Sequence, residues 1–250
     1  MGTWRRRATP TACGPGLPAS DSDELMATVI AREVRDGETV GIGVNSPIPA
    51  AGVLLARRLH APAVRIRLRG IDDGVPFIGS KEFFDLAQRG SLDLFFLSGI
   101  QIDARGRINM HRVGGRRFPG AFGSAVLYPL VKRVILFRTE HSPRVFVPEL
   151  EFVTAAGRPH LVVTPKAVLA PGEGGRLELV SWHPGESAAS VRAATGFELP
   201  VRQGAAETTP PTDEELNLLR GPVSLEMAAG FPEYVASRSS ALGALPPTPR

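Results

Sequence analysis

Thr39 to Pro62 reads TVGIGVNSPIPAAGVLLARRLHAP, and its order of residue types decides the fold class. A short β-branched run is broken by glycine, apolar residues then recur at helical spacing, and HAP leads tightly into a second strand. Gly41 and Gly43 are expected to take backbone angles closed to other residues, and Ser46 before Pro47 suits an N-cap followed by the first helical position. Ile48, Ala51, Leu55 and Leu59 form the apolar face of the helix, with Arg57 and Arg58 turned away from it. In an open α/β sheet such a turn points backbone N–H groups at the place where ligands bind. On local chemistry alone the stretch also reads as one more βα unit packing a core.

Upstream, Leu25, Met26, Val29, Ile30 and Val34 recur at spacings of three and four, Asp21 and Glu24 fit a capping box, and Gly37 stops the helix. Downstream, Ser80 to Arg89 reads as a helix closed by Gly90, and LDLFFL from Leu92 to Leu97 as a strand buried on both faces. Gly99 to Gly123 is rich in glycine and polar residues, which predicts two short strands with a turn at Arg105 and Gly106, then a loop. Val134 to Phe137, Arg144 to Val147, His160 to Thr164, Lys166 to Leu169 and Arg176 to Ser181 read as strands, and Ser187 to Ala194 and Thr212 to Leu219 as helices. The remaining segments divide as residues 1–20, a disordered leader, and residues 231–250, a C-terminal tail.

The chain has 250 residues, 43% of them hydrophobic, enough for one large core. Cys13 is the one cysteine, which excludes a disulfide framework and fits a reducing cytoplasm. No apolar run reaches the length of a membrane span, and no metal site is expected from the spacing of His60, His111, His141, His160 and His183. The net charge of +4 draws attention to Arg105, Arg107, Arg112, Arg116 and Arg117. Few aromatics and no recognition motif accompany them, so nucleic acid is not the expected partner; a solvated basic face or a phosphate-bearing ligand is. There is no Walker loop, HExxH or GxSxG, and GIGVNS does not complete a dinucleotide fingerprint.

The order of motifs goes further. Gly41 to Ala56, His60 to Pro62, the GxQxD segment with GxxN from Gly99 to Asn109, Gly120 to Gly123, His183 to Gly185, Thr195 to Phe197 and PTDEELNLLR from Pro211 together resemble the β subunit of the family I CoA-transferases. The resemblance runs from about Asp23 to Leu225. It implies an open α/β sheet of the CoA-transferase family I type with flanking helices, a β-type domain over residues 21–230, and a separate α-type subunit as partner. It also implies a coenzyme A thioester as substrate, with no bound cofactor.

In active family members a glutamate just after the HAP strand attacks the thioester, which is covalent catalysis by a carboxylate. The matching position here is at or beside Arg69, and Val64 to Gly70 reads VRIRLRG with no carboxylate. Guanidinium stays protonated and is not a nucleophile. Asp72 and Asp73 would need a shifted loop to replace it. The family's GxGG oxyanion loop is Gly120, Ala121, Phe122, Gly123 here, which puts a bulky ring where backbone normally approaches the thioester oxygen. SWHPGESAASVRAATGFEL and PPTDEELNLLR are most similar to relatives without the glutamate, the CoA-ester hydrolases that open rings in steroid catabolism. The resemblance therefore implies hydrolysis or carbon–carbon cleavage of an acyl-CoA by a heteromer, with the catalytic residue unassigned on this chain. Gln101, Asn109 and Gly120 to Gly123 would shape a pocket floor, Asn45 and Ser46 its helix N-terminus. Arg69 would hold an anionic group, and Arg116 or Arg117 would meet CoA phosphates. A non-catalytic partner of the same fold, or a transferase using a displaced carboxylate, are the alternatives.

Overall fold

The computed structural model describes residues 20–242 apart from 44, 69–70, 73–78 and 122. Arg69, Asp73 and Phe122 lie outside the described residues, as does the expected leader up to residue 19. The chain opens with α1 (Ser22–Glu33), β1 (Thr39–Gly41), α2 (Pro47–Leu59), β2 (Arg65–Leu68), β3 (Ile71–Asp72), α3 (Ser80–Gln88) and β4 (Leu94–Leu97). β5 (Gln101–Asp103) and β6 (Ile108–Asn109) follow, forming a three-stranded sheet with Phe146–Val147, and β7 (Arg112–Val113) with β8 (Arg116–Arg117) forms a two-stranded ribbon. Next come α4 (Ser124–Leu130), β9 (Arg133–Phe137), β10 (Phe146–Val147), β11 (Leu161–Val163), β12 (Ala167–Pro171), β13 (Leu177–Trp182), α5 (Ala188–Ala193) and β14 (Val201–Glu207). The described residues close with α6 (Asp213–Leu218), a π-helical turn at Leu219–Val223, α7 (Ser224–Met227) and α8 (Pro232–Leu242).

A nine-stranded sheet in the order β14-β13-β12-β11-β9-β4-β1-β2-β3 forms the frame, so the expected open α/β sheet with flanking helices is what the chain builds. The five strands from β2 to β11 are mutually parallel, and chain order reverses between β1 and β4, the switch point of the sheet. Side chains alternate cleanly across it. Leu94, Phe96, Ile135 and Phe137 face one core with α1 and α2, while Phe95, Leu97, Val134 and Leu136 face a second with α3 and α4. Burial on both faces is why these runs are continuously apolar.

Helix α2 covers Pro47 to Leu59, and Asp21 and Glu24 form the capping box of α1. Two expectations about the opening stretch fail for physical reasons. Gly41 and Gly43 are absent from the positive-φ glycines. Gly41 is required for space instead: a Cβ there would lie 2.8 Å from both Phe83 and Phe95. Ser46 sits at the N-cap position, but its hydroxyl makes no capping bond. Arg57 and Arg58 lie off the apolar face, as expected, and both pair with Glu226 of α7.

Gly52 sets the approach of α1 to α2. A Cβ there would meet the Ala27 carbonyl oxygen and Ile30 Cγ2, each at 2.7 Å. Gly52→Ala is therefore expected to destabilise the chain by about 1–3 kcal/mol through overpacking, despite alanine's better helix propensity. The midpoint of urea unfolding reads this, and an unchanged midpoint would show that the helices separate freely.

The stretch from residue 231, read as tail, carries α8, whose Tyr234 and Val235 pack on the α1–α2 core. Its Arg238 reaches Asp21 at 2.7 Å and Glu24 at 3.2 Å on α1.

Candidate functional site

The carboxyl ends of β1, β4 and β9 open into a crevice of about 400 Å³ between the start of α2 and α8. Asn45 and Pro47 form one lip, Ser98 and Thr139 project from the loops after β4 and β9, and Arg138 directly follows β9. Tyr234 and Asp23 close the far side. Arg138 donates its backbone N–H to Val163 O at 3.0 Å, which fixes the residue at the strand end. Its Nε is buried and has no hydrogen-bond partner among the described residues. Asp23 is partly spent: Tyr234 Oη donates to it at 3.1 Å and Arg238 lies 3.5 Å away. Burial raises the Asp23 pKa, against the lowering effect of that hydrogen bond and of Arg238.

The start of α2 gives little to an anion. Pro47 and Pro49 carry no N–H, and the Ser46 and Ala50 amides are used on Gly43 O and Ser46 O.

Gln101 and Asn109, expected on a pocket floor, are committed elsewhere. Both are buried, and Asn109 Nδ2 donates to Gln101 Oε1 at 2.8 Å and to Arg112 O at 2.6 Å. Asn109 Oδ1 accepts from the His111 and Arg112 amides at 3.1 and 3.2 Å. Gln101 Nε2 reaches Glu151, whose other oxygen accepts from Gly114 N at 2.8 Å. With these bonds the two amides anchor the β7–β8 hairpin and have little capacity left for a ligand.

That hairpin carries Arg112, Arg116 and Arg117, none ion-paired among the described residues. Arg116 lies over Phe118 at 5.8 Å. A second pocket of about 600 Å³ is bordered by His111, Arg112, Arg117, Phe152 and Thr154, with His111 edge-on to Phe152 at 6.0 Å. Following the hairpin in sequence, Gly120 and Gly123 have φ of 88° and 64°, and a Cβ on Gly123 would enter the Phe84 ring at 2.2 Å. The expected residues thus divide among three places: Asn45 and Ser46 by the crevice, Gly120 and Gly123 before α4, and Gln101, Asn109 and Arg116 at the hairpin.

Ser98, Arg138, Thr139 and Tyr234 were not predicted. Their common signal was available only for three of them: each follows an apolar strand run closely, at the sheet end where ligands collect. Among the described residues no group of three potential ligands could hold a metal, and no helix is long and apolar enough to cross a membrane.

No family model matches the chain. It is 27% identical over 246 residues to the B subunit of the 3-oxoadipate CoA-transferase of Pseudomonas knackmussii, covering 82% of this chain and 94% of that one. It is 26% identical over 245 residues to the B subunit of the glutaconate CoA-transferase of Acidaminococcus fermentans, covering 79% and 90%. Over most of its length the chain is similar to the B subunits of family I CoA-transferases. Solved structures share the fold. The decarboxylase AibA/AibB matches with a TM-score of 0.74 at 28% identity, over 83% of this chain and 98% of that one. Rhodococcus jostii RHA1 IpdAB shares the fold, with a TM-score of 0.71 at 24% identity over 84% and 98%. On this B-type fold the carboxyl end of β2, which Arg69 follows in sequence, lies at the same end of the sheet as the crevice.

Proposed function

We propose that the chain is the B-type half of a heteromer that acts on an acyl-CoA thioester, by hydrolysis or carbon–carbon cleavage and not by passing CoA through a carboxylate of this chain. The observation that carries the reading is the combination of a retained crevice at the switch point with VRIRLRG at the end of β2, where the family presents its glutamate. A carboxylate can form an acyl or CoA thioester intermediate; a guanidinium can only bind and orient charge. The description of AibA/AibB as a decarboxylase supports carbon–carbon chemistry on this scaffold. The two curated relatives are B subunits, which supports an α-type partner; in this reading that partner supplies the catalytic carboxylate.

In this scheme Asn45 and Ser46 border the acyl end, Arg69 holds an anionic group on the substrate, and Gly120 to Gly123 pass close to the thioester. Arg116 and Arg117 meet the CoA phosphates at the hairpin, where phosphate contacts would add affinity that falls with salt.

The test is reconstitution. The purified chain is expected to be nearly inert alone and to turn over acyl-CoA once an α-type subunit is added, with Arg69→Ala raising KM for acidic substrates. Hydroxylamine or borohydride trapping during turnover should label no carboxylate of this chain; label on Asp72 or Asp73 would restore a transferase mechanism. The altered Gly120 to Gly123 loop also favours a second reading, a non-catalytic partner of the same fold. A reconstituted pair that binds no CoA ester would decide for it.

A further inference from the structure

We infer that the outer face of α4, together with Phe152 and Val153, is a docking surface for the α-type chain of the heteromer, which meets it with apolar side chains edged by carboxylates. The inference rests on the heteromer reading for the identity of the partner.

Helix α4 reads SAVLYPL and carries no charged residue. Ser124, Leu127 and Tyr128 are buried, which leaves Ala125, Val126, Pro129 and Leu130 on the outside. A surface helix ordinarily turns polar residues outward, and one that is apolar all round is a buried helix. Val126, Leu130, Phe152 and Val153 are four of the six large apolar side chains exposed among the described residues, each 42–44% exposed. The two segments are joined at Met110. Its backbone N–H donates to Thr154 Oγ1 at 2.8 Å, and its sulfur lies 3.4 Å from Ser124 Oγ at the start of α4. Further along the helix, Tyr128 Oη donates to Gly106 O at 2.8 Å, and its ring lies so close to Gly157 that a Cβ there would sit 2.6 Å from it.

Charge decides the occupant. Residues 105–130 and 149–158 hold six arginines against two glutamates, and one of those, Glu151, is spent on Gly114 N and Gln101. Arg105 and Arg158 adjoin the Gly106 and Gly157 contacts of α4, and Arg112 follows closely on Met110. None of the three is ion-paired among the described residues. A twofold contact with a second copy would set these arginines against one another, and like charges across an interface repel. An apolar centre with an arginine rim fits a different chain that brings carboxylates to the edge. Side chains still more than half covered suit a protein surface better than a lipid one, in which apolar groups must reach the acyl region. The Gly120 to Gly123 loop leads directly into α4, so a partner seated on this helix would stand beside the thioester of the proposed scheme.

The test measures association of the full chain with the α-type subunit that restores turnover, by sedimentation and by hydrogen exchange. Amides of α4 and of residues 152–154 are expected to exchange more slowly in the complex. Val126→Asp combined with Leu130→Asp should weaken the complex by about tenfold or more, and Phe152→Asp should weaken it independently. Arg105→Glu combined with Arg112→Glu should slow association and flatten its dependence on salt. Leu225→Asp, exposed on α7, should change neither affinity nor rate. All these positions are exposed, so the isolated variants should keep the parent's unfolding midpoint; should one unfold, the exchange pattern of the parent still decides. Variants that bind as tightly as the parent, in a pair that turns over acyl-CoA, overturn the inference and leave the acyl-CoA reading standing. A pair that forms through this face and turns over nothing supports the inference and counts against that reading. Self-association of the chain alone that Leu130→Asp abolishes assigns the face to a second copy, and binding to phosphatidylserine vesicles that Leu130→Asp abolishes assigns it to lipid; either overturns the inference. No association with the parent overturns it together with the heteromer reading.

Discussion

Glu24→Ala is expected to cost about 3–5 kcal/mol, the range for removing one partner of a buried ion pair. Arg220 Nε and Nη2 donate to Glu24 Oε1 and Oε2 at 2.7 and 2.8 Å, with the two side chains only 12% and 4% exposed. Arg238 Nη2 adds a third contact at 3.2 Å. The same carboxylate accepts the Asp21 N–H at 3.2 Å and completes the capping box of α1. One substitution therefore uncaps α1, leaves two guanidinium groups short of their acceptor, and loosens the π-helical turn and α8 from α1 together. Denaturant unfolding should show the full loss in Glu24→Ala. Arg238→Ala, whose side chain is 19% exposed and whose loss leaves the Arg220–Glu24 pair in place, should lose less, about 1–2 kcal/mol. If Glu24→Ala and Arg238→Ala lose the same amount, the Arg220 contact contributes nothing and the account of this junction is wrong.

The sequence revealed parts of the fold where burial writes a pattern, and hid those where it does not. Leu92 to Leu97 and Val134 to Phe137 are largely apolar because β4 and β9 are covered on both sides. Strand β14 was missed because VRQGAAE has an exposed, irregular face, and Gly204 takes φ of 81° within it. Helix α4 carries Pro129 and follows Gly123 in the left-handed region, both of which argue against a helix on local propensity. Among the described side chains of helix α8, Tyr234 and Val235 are the ones that pack on the core, too little for an apolar stripe.

The site was legible to a smaller degree. Asn45 and Pro47 belong to a motif with a recognisable order, but Ser98, Arg138 and Tyr234 meet them only through the topology of the sheet and the return of α8. Gln101 and Asn109 were conspicuous as polar residues in a glycine-rich segment. That prominence reflects a buried amide network, which needs the same residue types as a binding pocket. Arginine content drew attention to the hairpin, while the buried guanidinium nitrogens without a partner among the described residues lie on Arg67, Arg133 and Arg138, in or directly after the strands of the main sheet.

The chain is expected to lose stability steeply between pH 6.5 and about 4, from two histidines that must stay neutral. His141 and His183 are 6% and 1% exposed, and burial pushes each pKa down to about 4. Their bonds fix the tautomers. His183 Nε2 faces Thr164 O at 2.8 Å, so it carries the proton, and Nδ1 accepts from Thr208 Oγ1 at 2.9 Å. Thr195 gives its hydroxyl hydrogen to Val191 O, so His141 Nε2 is the donor across the 3.0 Å contact with Thr195 Oγ1. Thr164 Oγ1 accepts the Ala167 amide at 3.1 Å and shares its one hydroxyl hydrogen between Ala167 O at 3.0 Å and His141 Nδ1 at 2.8 Å. Both rings are thus joined through Thr164, which ties the loop after β9 to the start of β12 and the end of β13. A second proton on either ring requires a hydroxyl to turn and a charge to be buried, for His141 beside Lys166. The folded pKa lies below the unfolded value of about 6.5, so the unfolded chain binds more protons through this interval and stability falls with pH. Above about 6.5 the contribution is complete; below about 4 no more is lost. Each ring accounts for a loss on the order of 3 kcal/mol. The ring resonances of His141 and His183 should not titrate above pH 5, and the unfolding temperature should drop across the same window. Rings that titrate near 6.5 would show that water reaches the network, and the pH dependence would then have to come from surface carboxylates, confined to pH below 5.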